Sequence, residues 1–161
     1  MLRYLPYSLV VGIPVAIVLL AAVNFLRKRR KKEAAAVLPV VLFGFYLSVM
    51  LVITFLSRES GGGSVFDLKL FSTWGINNRN NAMVVENVLL FIPYGFLGCW
   101  AFERTKSFLW CTLLGAGTSL SIECLQLATG RGFFQIDDIM TNTLGAMAGY
   151  LLFRLFFRRK R

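Results

Sequence analysis

Residues 108–128 read FLWCTLLGAGTSLSIECLQLA, and Glu123 is the one charged side chain among them. A helix crosses the bilayer core with about 20 mostly apolar residues, so this stretch reads as a membrane span. Four further runs then fall into the same class: Leu9 to Leu26, Ala36 to Leu56, Val84 to Phe102 and Ile139 to Phe157. Of 161 residues, 57% are apolar and 16% charged, and mean hydropathy is +0.64. Soluble domains run to about 45–50% apolar and about 25% charged. That excess excludes a disordered chain, which needs low hydrophobicity, and a single soluble core, which has too little polar cover here. The fold class expected is all-α: a polytopic transmembrane helix bundle of about five spans.

The basic residues set the orientation. Five spans place Arg27 to Lys32, Arg104, Lys106, Arg154 and Arg158 to Arg161 on one side, which is 13 of the 18 Lys and Arg. Arg3, Arg58, Lys69, Arg79 and Arg131 fall on the other. Cytoplasmic loops collect Lys and Arg, so the N-terminus is expected outside and the C-terminus inside. The first apolar run precedes its basic cluster and has no small-residue cleavage site, so it reads as a retained helix rather than a secretory signal. The net charge of +10 is explained by this topology and by anchoring to anionic lipid heads, with no nucleic-acid role. There is no histidine. Cys99, Cys111 and Cys124 sit in apolar stretches without a CxxC pair and read as small buried apolar residues. Hence no metal site and no cofactor are expected.

The longest connection, Ser57 to Met83, lies on the outer side in this arrangement. Gly61 to Ser64 reads as a flexible tether. Phe66, Leu68, Leu70, Phe71 and Trp74 suit a segment lying in the interface, and Asn77 to Asn81 reads as polar turn material. Polar residues recur at helical spacing in the later spans: Thr112, Gly115, Ser119, Glu123 and Gln126; Asp138, Asn142, Gly145 and Gly149; Asn87, Phe91, Tyr94 and Gly98. A carboxylate on a spanning helix marks a functional site by default. Asp137 and Asp138 suit a helix N-terminus, and Asp138 reads as its N-cap. Glu86, Asn87, Glu123, Gln126, Arg131, Asp137, Asp138 and Asn142 all map to the outer ends of three spans. That coincidence makes them the ligand-binding candidates. Glu123 is expected to face the bundle and meet Arg131 or the Asn142 amide.

Three stretches carry a family resemblance. Asn87 to Gly95, with Phe91 and Pro93 between, resembles an N-x-x-x-F-x-P-x-G motif. Ser121-Ile122-Glu123-Cys124-Leu125-Gln126 resembles S-x-E-x-x-Q. Arg131 with Asp137-Asp138, Asn142, Gly145 and Gly149 resembles an R…DD…N-x-x-G-x-x-x-G ending. In this order they resemble the VanZ family, named for a protein associated with teicoplanin resistance. Leu68 to Phe71 stands where many members carry Asn-Leu-x-Pro-Phe. The division that follows is a first helix and basic loop over 1–36, a VanZ-like membrane domain over 37–157 and a basic tail over 158–161.

The resemblance implies a multi-pass protein of the bacterial cell membrane, linked in some relatives to glycopeptide tolerance, without a settled reaction. Three functions stay open. An outer pocket binds a lipid-linked cell-wall precursor or a lipoglycopeptide, with membrane lipids as further partners. In that case Arg131 pairs a phosphate or carboxylate, and Asn87, Gln126 and Asn142 fix polar groups. Alternatively, a membrane enzyme acts on an outer-leaflet lipid or cell-wall precursor, with Glu123 and Asp138 as acid and base. Third, the chain is a structural partner of envelope proteins. The absence of histidine and of any nucleophile motif favours the non-enzymatic reading.

Overall fold

The computed structural model describes residues 5–29, 37–56, 66–75 and 77–157. They form an all-α protein with five helices, all in regions that the apolar runs mark: α1 (Leu5–Arg29), α2 (Val37–Leu51), α3 (Asn78–Ala101), α4 (Phe108–Ala128) and α5 (Ile136–Phe156). Among the described residues, three helical stretches are long and apolar enough to cross a membrane: Val37–Phe55, Asn78–Ala101 and Phe108–Ala128. The apolar part of α1, Ile13–Phe25, is shorter. The tether at 61–64, the end of the first basic cluster and the tail at 158–161 lie outside the described residues.

Three helix starts differ from the sequence expectation. α1 begins at Leu5, ahead of the run that opens at Leu9. α3 begins six residues before its apolar run, because the Asn77 side chain accepts the Asn80 N–H at 2.8 Å and caps the first turn. Four of the five residues expected to turn, Asn78 to Asn81, are therefore helical. α5 begins at Ile136 behind an extended Gln135, which makes no side-chain cap. Asp137 and Asp138 thus stand inside the first turn, where negative charge meets the positive end of the helix dipole.

Chain direction follows from the contacts. Gly145 of α5 lies against Val88 of α3, and Gly149 against Ile92, so α3 and α5 run parallel. A Cβ on Gly149 would stand 2.7 Å from the Phe96 amide nitrogen. That spacing is why the small-xxx-small pair is needed here: it lets two backbones approach. α4 runs antiparallel beside them, with Gly115 against Ala146 and Ser119 against Asn142. On the far side of α3, α2 packs through Phe43 on Tyr94, with rings 5.1 Å apart, and the Tyr46 hydroxyl donates to Leu90 O at 2.6 Å. α1 closes on α2 where Ala16 meets Gly44. Val40, Phe43, Met50, Phe91, Tyr94, Ala101, Ile122 and Ala146 form the central apolar cluster.

One end of the bundle is polar and the other basic. The polar head comprises the end of α2, the starts of α3 and α5, the end of α4 and the segment 66–75. A two-residue parallel bridge ties it together, pairing β1 (Phe66–Asp67) with β2 (Phe134–Gln135). Cys99 and Cys111 are buried toward the basic end, whereas Cys124 is exposed, against the expectation for it.

Candidate functional site

The head is built from side chains that hold main-chain groups. α4 ends in a left-handed Gly130 (φ 62°). The Gly130 and Arg131 N–H groups fold back to Leu127 O and Gln126 O at 3.2 and 2.9 Å. This glycine-capped ending satisfies carbonyls that the helix leaves over and projects Arg131 sideways. There it meets the end of α2, where residues Val52–Leu56 widen into a π-helical turn. The Arg131 guanidinium donates to Phe55 O at 3.3 Å and lies 5.7 Å from the Phe55 ring centroid. Gln126 Nε2 donates to Thr54 O at 3.0 Å. Both side chains therefore cap the carbonyl end of α2, where a cation and amide donors are favoured.

Asp137 holds the segment 66–75. Its Oδ1 accepts the Phe71 N–H at 2.7 Å and its Oδ2 the Thr73 N–H at 2.9 Å. The chain turns through a left-handed Phe71 (φ 61°) to present both donors. Ser72 donates to Asp67 Oδ2 at 2.7 Å. That bond, seconded by the Lys69 N–H, holds the Asp67 carboxyl below its ordinary value of 3.8. Phe66, Leu68, Leu70, Phe71 and Trp74 are left exposed on the outside of the segment.

Beneath the segment lies a buried polar junction of α3, α4 and α5. Ser119, Glu123, Gln126, Asp137, Asp138, Thr141 and Asn142 are each at most 5% exposed. Asn142 Nδ2 donates to Ser119 Oγ at 2.8 Å, and Ser119 Oγ lies 3.5 Å from Asp138 O. Glu123 faces the bundle, as expected, and its Oε2 accepts the Gln135 N–H at 2.9 Å. Among the described residues no ion pair joins Glu123 to Arg131. Asn87 Nδ2 and Asn142 Oδ1 are buried with no hydrogen-bond partner.

The structure thus brings Glu123, Asp137, Asp138 and Asn142 into one head, with Gln126 and Arg131 at its α2 side. Glu86 stands apart, exposed on α3. Ser119, which helical spacing places on the same stripe as Glu123, is not among the binding candidates read from sequence. Thr141, which donates to Asp137 O at 2.9 Å, was missed; its one signal is its place in the turn between Asp138 and Asn142. No group of three or more His, Cys, Asp or Glu suited to a metal ion occurs among the described residues.

Helices of membrane-crossing length, joined at one end by a buried polar junction, define a helical-bundle membrane protein with a built polar head. The family model for VanZ/LLP1 matches residues 43–157, a stretch that contains the whole of that head. The chain belongs to the VanZ/LLP1 family. No curated protein and no solved structure matches it.

Proposed function

We propose that this protein spans the bacterial cell membrane five times with its polar head outside. There it binds a lipid-linked or cell-wall ligand and contributes to tolerance of teicoplanin-type glycopeptides. The distribution of basic residues supports the orientation, since 13 of 18 fall on the side opposite the head. Family membership and the apolar helices support the membrane location. In this orientation the exposed Phe66, Leu68, Leu70, Phe71 and Trp74 dip into the outer interface, where aromatic rings are favoured.

The observation that carries the binding reading is the pair of unmatched amide atoms. Asn87 Nδ2 is a donor and Asn142 Oδ1 an acceptor, both buried and unpartnered. Buried polar groups are nearly always bonded, and leaving one unmade costs about 1–3 kcal/mol. A bound polar group supplies the missing partners. Burial of Glu123 and Asp138, at 1% and 2% exposure, favours a second reading in which they act as acid and base on a lipid or cell-wall precursor.

The test is Glu123→Gln, which keeps an oxygen for the Gln135 N–H but removes the charge. The expected result is normal membrane level and melting temperature with loss of the tolerance phenotype. Full tolerance at full stability overturns the reading, and reduced protein level in proportion to reduced tolerance assigns Glu123 to structure. Conversion of a cell-wall precursor by the purified protein in liposomes, abolished by the same change, establishes the enzymatic reading.

A further inference from the structure

A groove of about 840 Å³ lies toward the basic end, lined by residues of α1, α2 and α4. It is separate from the head and involves none of the polar junction. Its volume falls within the range of about 300–1,000 Å³ typical of small-ligand sites. Leu19 and Val23 of α1, Phe43 and Leu47 of α2, and Leu113 and Leu114 of α4 form its walls. Tyr94 lies on the floor with its hydroxyl bonded to Thr118 at 2.6 Å. The depth of the groove therefore offers greasy surface and little unmet polarity.

The mouth is different. Arg27 from the last turn of α1 and Arg104 from the short helical turn after α3 both line it. Arg104 is braced by Trp110, with the guanidinium carbon 5.7 Å from the ring centroid. Glu103, the acidic residue on this rim, is bonded by Lys106 at 2.7 Å, which offsets its charge. The ligand that fits has apolar chains at one end and an anionic group at the other. Arginine matches a phosphodiester with paired N–H donors.

We propose that this groove is a binding site for an anionic phospholipid, its acyl chains between α1 and α4 and its phosphate against Arg27 and Arg104. Three features favour a lipid over a partner helix or a second copy. Cationic groups occur at one end only. The groove opens sideways toward the surface that α1 and α4 present, where Ile17, Leu109 and Leu113 are exposed. The bilayer also supplies this amphiphile at high local concentration.

The experiment is native mass spectrometry of the full chain, released from vesicles of equal phosphatidylglycerol and phosphatidylcholine. One phosphatidylglycerol should remain bound, preferred over phosphatidylcholine by about tenfold or more: both lipids offer a phosphodiester, but the choline cation brings a like charge against Arg27 and Arg104. Arg27→Gln with Arg104→Gln should remove that preference. Leu113→Trp, which fills the groove from an exposed wall position, should remove the bound lipid while leaving both arginines in place. Equal retention of the two lipids overturns the proposal, as does unchanged preference in the double variant. Release as a lipid-free dimer also overturns it, because the groove is then covered by a second copy. A double variant with a changed melting temperature is replaced by the corresponding lysine pair. That pair keeps the charge and should keep part of the preference; complete retention of the preference overturns the bidentate phosphate contact.

Discussion

Asp137 shows how a residue that reads as a ligand-binding candidate can hold main chain instead. Its two oxygens accept two main-chain N–H groups of the segment 66–75, so little of the carboxylate is left for chemistry. Hydrogen bonds to charged groups contribute about 1.5–3 kcal/mol each. Asp137→Ala should therefore lower stability by about 3–6 kcal/mol and open residues 66–75 to limited proteolysis, with Asp137→Asn intermediate. Neighbouring Asp67 sets a pH limit. Its carboxyl is held below 3.8 by Ser72 first and the Lys69 N–H second. A lowered folded-state value means the contribution is complete above 3.8 and fades as pH falls through the lower, folded value. Trp74 fluorescence should therefore stay constant from pH 7 to about 4 and change below it. Asp67→Asn should abolish that acid transition.

The contact between α3 and α5 is the tightest helix pairing. Gly149 faces backbone, with Phe96 N 2.7 Å from where a Cβ would sit, and backbone cannot swing aside as a side chain can. Gly149→Leu should cost at least the usual 1–3 kcal/mol of overpacking, roughly, read as a lower melting temperature in detergent. Gly117 provides the control, since nothing lies within 4 Å of its Cβ position. Gly117→Ala should leave the melting temperature unchanged or slightly raised. Helical spacing puts Asp138, Asn142, Gly145 and Gly149 on one stripe of α5. The structure divides that face: Asn142 meets α4, Gly145 and Gly149 meet α3, and Ala146 between them meets both, its backbone against Gly95 of α3 and its Cβ against Gly115 of α4. Helical spacing identifies a face but does not name the neighbour on it, because both neighbours accept the same small residues.

On the scale of the whole molecule, the five apolar runs were legible because length and hydrophobicity suffice to define them. Most of the head's membership was legible too, through stripes that align Ser119 with Glu123 and Asp138 with Asn142. What was not legible were contacts whose acceptor or donor is main chain. Nothing in the letters Phe71 and Thr73 announces that their N–H groups meet Asp137. Equally, nothing announces that Thr54 and Phe55 offer carbonyls to Gln126 and Arg131. The start of α3 was misplaced because an asparagine run serves a turn and an N-cap equally well. Orientation is tested by single cysteines introduced at Arg79 and Lys160 in a cysteine-free background. An impermeant maleimide should label the first in intact cells and the second only after permeabilisation. The reverse pattern would invert the molecule and move the head to the cytoplasm.

The Asp137 clasp also has a consequence in time. Its two partners, Phe71 and Thr73, lie 66 and 64 residues earlier in the chain. At about 5–20 residues per second of synthesis, the earlier segment waits roughly 3–13 seconds for its carboxylate to be made. During that interval α3 also lacks its closest neighbour, α5. The first half of the protein thus emerges with an open loop and an unmatched helix face, and both are closed by the same late-arriving segment. A nascent chain stalled before residue 137 should accordingly be a substrate for membrane quality control, and one stalled beyond α5 should not.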